Sequence, residues 1–187
     1  MAVARKLFRL AKWFNEYVTI TKTLAGNTPN TDKYLTVATR LAFLLYWIFD
    51  NLGVLIKIKF INGFDLTNAL RRANTFWLLG LALGIITAIR GLINNAKTEA
   101  ALRAGKSKVG QDGGMEESKY KEEVAKSKAA KLTHILNLIK NLGDCTTASQ
   151  GLGYPKRFFG FDLNDAVVGL GGFTSAAITC YQTYPAK

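Results

Sequence analysis

The sequence predicts an all-α integral membrane protein, with about two transmembrane helices and further amphipathic or interfacial ones. Three observations carry that prediction. Apolar residues make up 49% of the 187-residue chain, although lysine and arginine outnumber aspartate and glutamate by 25 to 13. Two segments, Ala73–Ile89 and Ala166–Tyr184, contain no charge at all. Around them the apolar residues recur with the period of a helix, not the alternation of a strand. A chain of this length has room for one modest unit or one small bundle of membrane helices. Its basic residues flank apolar segments instead of decorating a soluble fold with stacking aromatics, which favours anionic lipid over nucleic acid as the partner.

The first region, residues 1–72, reads as amphipathic and interfacial. Met1–Phe14 carries Arg5, Lys6, Arg9 and Lys12 and no acid. At 3.6 residues per turn, Val3, Leu7, Leu10, Phe14, Tyr17 and Val18 share one face, and Arg5, Arg9, Lys12 and Glu16 lie opposite. Lys6 falls at the boundary, where its alkyl stem lies along the apolar face while the ammonium reaches head groups. Two readings fit such a helix: insertion into a membrane interface, or packing of the apolar face on the protein itself. The segment also resembles a mitochondrial presequence, and it lacks the uninterrupted apolar run of a secretory signal.

Gly26-Asn27-Thr28-Pro29-Asn30-Thr31-Asp32 is dense in turn residues and ends that helix, with Thr31 or Asp32 placed to cap another beginning near Lys33. The apolar run Leu41–Ile61 is interrupted by Asp50, Asn51, Lys57 and Lys59. Charges inside a span face the bundle interior, so this helix belongs at the interface or against other helices, not bare in lipid. Asp50 and Lys57 are the residues that most need an aqueous or protein-lined surrounding, and local pairing between them is the simpler reading. Asn62-Gly63-Phe64-Asp65 makes a turn, and Leu66 starts the next helix.

Residues 73–94 form the first transmembrane candidate, bracketed by Arg71, Arg72 and Arg90. Its uncharged part reaches about 25 Å against a hydrocarbon core near 30 Å, so the flanking arginines must snorkel. Gly80 and Gly84 stand at a spacing that lets helices approach closely, within the chain or between copies. Residues 95–131 read as a polar connector containing Gly110-Gln111-Asp112-Gly113-Gly114, with acids and lysines at helical spacing in its second half. In 132–145, Leu132, Ile135, Leu136, Ile139 and Leu142 repeat as one apolar face of a second amphipathic helix, predicted to end at Gly143. After the loop Gly151–Pro155, residues 163–184 form the second transmembrane candidate, with Tyr181 and Tyr184 at interface depth and Gly169 and Gly172 as further packing glycines.

No catalytic constellation is legible. His134 is the single histidine, which excludes multi-histidine metal sites, and its place on the helix predicts polar-face decoration. Gly169-Leu170-Gly171-Gly172 lies inside an apolar span, not after a strand, so it is no phosphate-binding loop. Asp144 and Cys145 adjoin without a base or an oxyanion hole, and Cys145 and Cys180 make no CxxC pair. No catalytic residue, metal ligand or cofactor is expected.

Three segments together resemble the peroxisomal biogenesis factor eleven family. Arg5–Tyr17 (RKLFRLAKWFNEY) is similar to its basic amphipathic helix, and Leu44–Lys59 (LLYWIFDNLGVLIKIK) to its aromatic-Asp-Asn-Leu segment. Asn141-Leu142-Gly143-Asp144, a loop, and Val167–Ile178 (VVGLGGFTSAAI) reproduce the family's penultimate helix and glycine-rich final span in order. The resemblance implies a peroxisomal membrane protein that self-associates, inserts an amphipathic helix into one leaflet, elongates the organelle and helps recruit the dynamin-type fission machinery. Some members are thought to form pores for small metabolites. Carried onto this chain, Lys6, Arg9 and Lys12 would bind anionic head groups while Leu7, Leu10 and Phe14 wedge between lipids. Family members usually carry a further helix before the basic one, and here the basic helix starts at Met1. That difference opens an alternative: an accessory subunit of a large membrane complex, placed in the mitochondrial inner membrane by its presequence-like start.

Overall fold

A computed structural model describes residues 9–26, 30–106, 109 and 116–184 of the chain. All the regular structure among these residues is helical: α1 (Lys12–Ala25), α2 (Asn30–Lys57), α3 (Leu66–Gly105), α4 (Glu117–Gly151), α5 (Tyr154–Phe159) and α6 (Asp165–Thr183). The long helices follow one another as antiparallel neighbours. α1 packs on α2, α2 on α3, α3 on α4 and α4 on α6, while the short α5 touches α4. The result is one curved layer of helices in chain order.

Local chemistry sets the ends. α2 begins at Asn30, so Thr31 and Asp32 lie within its first turn and do not cap it from outside. Asp32 instead accepts hydrogen bonds from Arg90 Nε (3.1 Å) and Nη2 (2.9 Å), tying α2 to α3. Lys59 closes α2 in the left-handed region at φ 59°, and Gly63 at φ 85° turns the chain. Asp65 then caps α3 by accepting from the Thr67 backbone N–H at 2.8 Å. Asn164 does the same for α6, accepting from the Ala166 N–H at 2.9 Å.

Two sequence expectations change. The first part of the polar connector 95–131 is helical through Gly105, beyond the sequence expectation, whereas the helix from Glu117 is the solvated helix that the interleaved acids and lysines of its second half suggest, with Glu117–Lys121 and Glu122–Lys126 as i,i+4 pairs. Hydrogen bonds from those lysines hold Glu117 and Glu122 below the usual carboxylate range. α4 also runs past Gly143 to Gly151. Gly143 is no terminator: a Cβ there would lie 2.6 Å from the Gly171 carbonyl oxygen, so its missing side chain serves backbone-to-backbone packing of α4 on α6.

The distribution of side chains is inverted relative to a water-soluble protein. The buried apolar residues among those described are small: Ala42, Ala69, Ala73, Ala88 and Ala148, with Val54 and Leu81. Thr39, Asp50, Asn51, Asn95, Ser127, Asn141 and Ser175 are buried beside them. Large apolar side chains point outward, including Leu79, Ile86, Ile89 and Ile93 along one face of α3 and Leu132, Ile135, Ile139 and Leu142 along α4. Small and polar groups inside with bulky apolar groups outside is the arrangement lipid demands. Among the described residues the helices long and apolar enough to cross a membrane are α2 over Thr31–Lys57 and α3 over Leu66–Gly105, so the expected span 73–94 falls within α3, whereas the expected span 163–184, which forms α6, is not one of them. The chain is an all-α membrane protein. Asp50 and Asn51, which argued against α2 as a span, are turned inward at 5% and 7% exposure, and that removes the conflict.

Candidate functional site

Two features answer the functional reading of the sequence: the exposed face of α1, and a polar groove between α2 and α4. On α1, Trp13, Glu16, Thr19, Ile20 and Thr23 are half-buried against α2, whereas Phe14, Tyr17, Val18 and Leu24 are exposed. Polar contacts hold the inner face. Glu16 accepts from Arg40 Nη1 at 3.3 Å, the Lys12 ammonium lies 4.8 Å from the Trp47 ring centroid, and the Asn51 amide donates to the Leu10 carbonyl. Burial, with Arg9 nearby, holds Lys12 below the ordinary lysine value, and Glu16 pulls the other way. The apolar face therefore points away from the protein.

In the described part of the helix the apolar face is not packed on the rest of the chain, and one residue is placed differently from the sequence reading. Lys12 faces α2 instead of a head group, because Trp47 and Glu16 offer it partners inside the protein. Arg9 is exposed and Leu10 half-buried in the turn before α1, and Phe14 is 54% exposed. Arg5, Lys6 and Leu7 lie outside the described residues. Lys57 is exposed in the last turn of α2, whereas Asp50 and Asn51 are buried.

The groove has a volume of about 400 Å³ and is floored by Leu81, Gly84 and Ala88 of α3. Arg40 and Tyr46 of α2 form one wall; Asn137, Lys140 and Asp144 of α4 form the other. It lies alongside the charge-free stretch of α3, at the depth where ionisable side chains are most costly in lipid. His134, expected to be surface decoration, turns into this groove and packs over Gly91, where a Cβ would overlap its ring. Sequence reading passed over the groove because its residues are scattered over five helices, Glu16 of α1 and Thr179 of α6 included. The legible signal was the stripe His134, Asn137, Asn141 and Asp144, recurring at i, i+3, i+7 and i+10 opposite the apolar face of α4.

The glycines divide by partner. A Cβ at Gly80 would meet the Phe43 ring of α2 at 3.0 Å, and one at Gly84 would meet the Asn141 amide of α4 at 2.7 Å. Both members of the GxxxG pair are thus used within the chain, one toward each neighbour. A Cβ at Gly172 would come no nearer than 3.9 Å to Thr147 Oγ1, and at Gly169 nothing lies within 4 Å. The close approach of α4 and α6 within the chain is made by Gly143 and Gly171. Among the described residues, no cluster of three or more His, Cys, Asp or Glu side chains is placed to hold a metal ion.

A family model described as peroxisomal biogenesis factor 11 (PEX11) matches residues 1–184. The chain belongs to that family. No curated protein and no solved structure matches it. Membership in PEX11 gives the chain a part in peroxisome biogenesis, and the peroxisomal membrane is the location the family implies. The mitochondrial alternative finds no support in the match. PEX11 is a family described by its part in organelle biogenesis.

Proposed function

We propose that this PEX11 protein is a self-associating, membrane-shaping protein that acts in the elongation, proliferation and fission of peroxisomes, with α1 entering one leaflet. The observation that carries the reading is the orientation of α1: Phe14, Tyr17, Val18 and Leu24 face outward while Glu16 and Lys12 are engaged by α2. Burying an apolar side chain of this size contributes roughly 1.5–3 kcal/mol, so even partial burial of four of them holds the helix at a surface reversibly. Because α1 is also fastened to a membrane helix, what it displaces between lipids falls in one leaflet, and area added to one leaflet bends a bilayer. Anionic lipids are the matching surface for a chain with a formal charge of +12.

Self-association is supported by the outer face of α6, where Leu170 and Phe173 are 67% and 71% exposed beside the open Gly169. The fission machinery is a proposed partner for the ends of α3 and α4 that extend beyond the apolar stretch, about 20 Å on α3. The test is remodelling of vesicles by the full chain reconstituted in phosphatidylcholine with an anionic phospholipid. Phe14→Glu with Val18→Glu is expected to abolish tubule formation while leaving the protein inserted. Tubules of unchanged number and diameter would sink the wedge mechanism.

The groove favours a second reading, passage of small polar metabolites, because its walls place charged groups at the depth of the apolar stretch. In planar bilayers, Lys140→Gln is expected to change the ion selectivity of any conductance. Asp50 and Lys57 lie outside the groove, and substituting Lys57 is expected to leave it unaltered. Bilayers that stay silent with the wild-type protein would remove this reading.

A further inference from the structure

A second cavity, of about 400 Å³, opens between α3 and α4 at the end nearer the connector, separate from the groove and far from α1. Leu102 of α3 and Val124, Leu132 and Ile135 of α4 make it apolar, and Arg103, Lys128 and Lys131 stand on its walls. Its base is fixed by polar contacts: Ser127 donates to Asn95 Oδ1 at 3.1 Å, Asn95 donates to Glu99 at 3.2 Å, and Lys131 pairs with Glu99 at 3.3 Å. Glu99 thereby consumes the charge of Lys131. Arg103 and Lys128 are exposed and have no carboxylate partner among the described residues.

Two properties identify the occupant. Leu132 and Ile135 of its lining are exposed, as are Ile139 farther along the same face of α4 and Ile93 on the outer face of α3. That face is the one the fold turns toward lipid. The cations stand past it, beyond the point where charge returns to α3 at Arg90 and Lys97, with Arg103 about 20 Å along the helix from Arg90. An apolar slot entered from the lipid side and topped by two uncompensated cations has the charge and shape of an anionic amphiphile. The volume lies within the range of sites that enclose part of a small ligand. We infer that this slot is a binding site for one anionic phospholipid of the surrounding leaflet, its acyl chain along Leu132 and Ile135 and its phosphate between Arg103 and Lys128. The site is independent of the part α1 plays.

The test is native mass spectrometry of the full chain in mild detergent, titrated with dioleoyl phosphatidic acid or with dioleoyl phosphatidylcholine. Retention of one phosphatidic acid in preference to phosphatidylcholine is expected. Arg103→Gln with Lys128→Gln is expected to weaken that retention about thirtyfold, by analogy with the contribution of two basic residues at an anionic surface. The swap Arg103→Lys with Lys128→Arg keeps the charge and is expected to retain the lipid. Phe14→Glu with Val18→Glu, which disables α1, is also expected to retain it, so loss of the wedge and loss of this site are distinguishable. Equal retention by the glutamine variant, or equal retention of phosphatidylcholine, would overturn the site. Stronger retention of oleate than of phosphatidic acid would overturn the phospholipid as its occupant.

Discussion

Valine at Gly171 is expected to push α6 off α4 and to lower the thermal midpoint of the detergent-solubilised protein by roughly 3–10 °C, the equivalent of about 1–3 kcal/mol of overpacking in a chain of this size. A Cβ at Gly171 would overlap Thr146 Oγ1 and lie 2.6 Å from the Gly143 carbonyl oxygen. The threonine can rotate away. The carbonyl belongs to the backbone of α4, so the helices must separate. Valine at Gly143 meets the same backbone from the other side and is expected to do comparable damage. Gly169 supplies the control, because it lies on the same helix with nothing within 4 Å. Alanine there is expected to be neutral or to stabilise by up to about 1 kcal/mol through helix propensity alone. A scan in which Gly169 and Gly171 respond alike would mean that α6 docks on α4 through a different face.

The second large effect is expected at Asp32. Arg90 ends the charge-free stretch of α3, and its Nε and Nη2 both donate to Asp32 Oδ1. Alanine at Asp32 leaves a guanidinium, 42% exposed in the structure, without that partner near the edge of hydrocarbon, at a cost of about 1–2 kcal/mol, below the roughly 2.5–3.5 kcal/mol of a charge at the centre of a span. Leucine at Arg90 removes the charge itself and is expected to cost much less, with the double variant resembling Arg90→Leu. The measurement is a double-mutant cycle by unfolding in mixed micelles. If both single variants cost no more than about 1 kcal/mol, the pair behaves as an exposed ion pair in water and Arg90 lies outside the apolar layer.

How much of this was legible in the sequence depends on whether the governing contact is local. Turn chemistry is local, so Asn62-Gly63-Phe64-Asp65 and the start at Leu66 stand where the residues place them. The one-sided faces of α1 and α4 follow from period alone, and so does the exposure of Phe14, Tyr17 and Val18 on one side. Direction does not follow from period. Whether an apolar stripe points to lipid or to protein is decided by the partner of the opposite stripe, here Arg40 and Trp47 for Glu16 and Lys12. Gly143 misled for the same reason: a glycine that could end a helix is also one that admits a neighbouring backbone, and only Gly171 across the interface decides between them. The groove needed three helices in register before Arg40 could face Lys140.

The order of packing has a kinetic corollary. Among the described residues each long helix packs on its long neighbours in chain order, so these contacts do not wait for a segment made much later. Such a topology has low contact order, and each helical hairpin is complete as soon as its second arm has been synthesised. The two outermost helices, α1 and α6, each rest on a single long neighbour, whereas α3 is held on both sides. Opening of the folded protein therefore begins at its edges and reaches α3 last. The helix read as entering the leaflet is one of the two that the rest of the fold holds least, and it can leave its berth on α2 without unpacking the membrane-spanning centre.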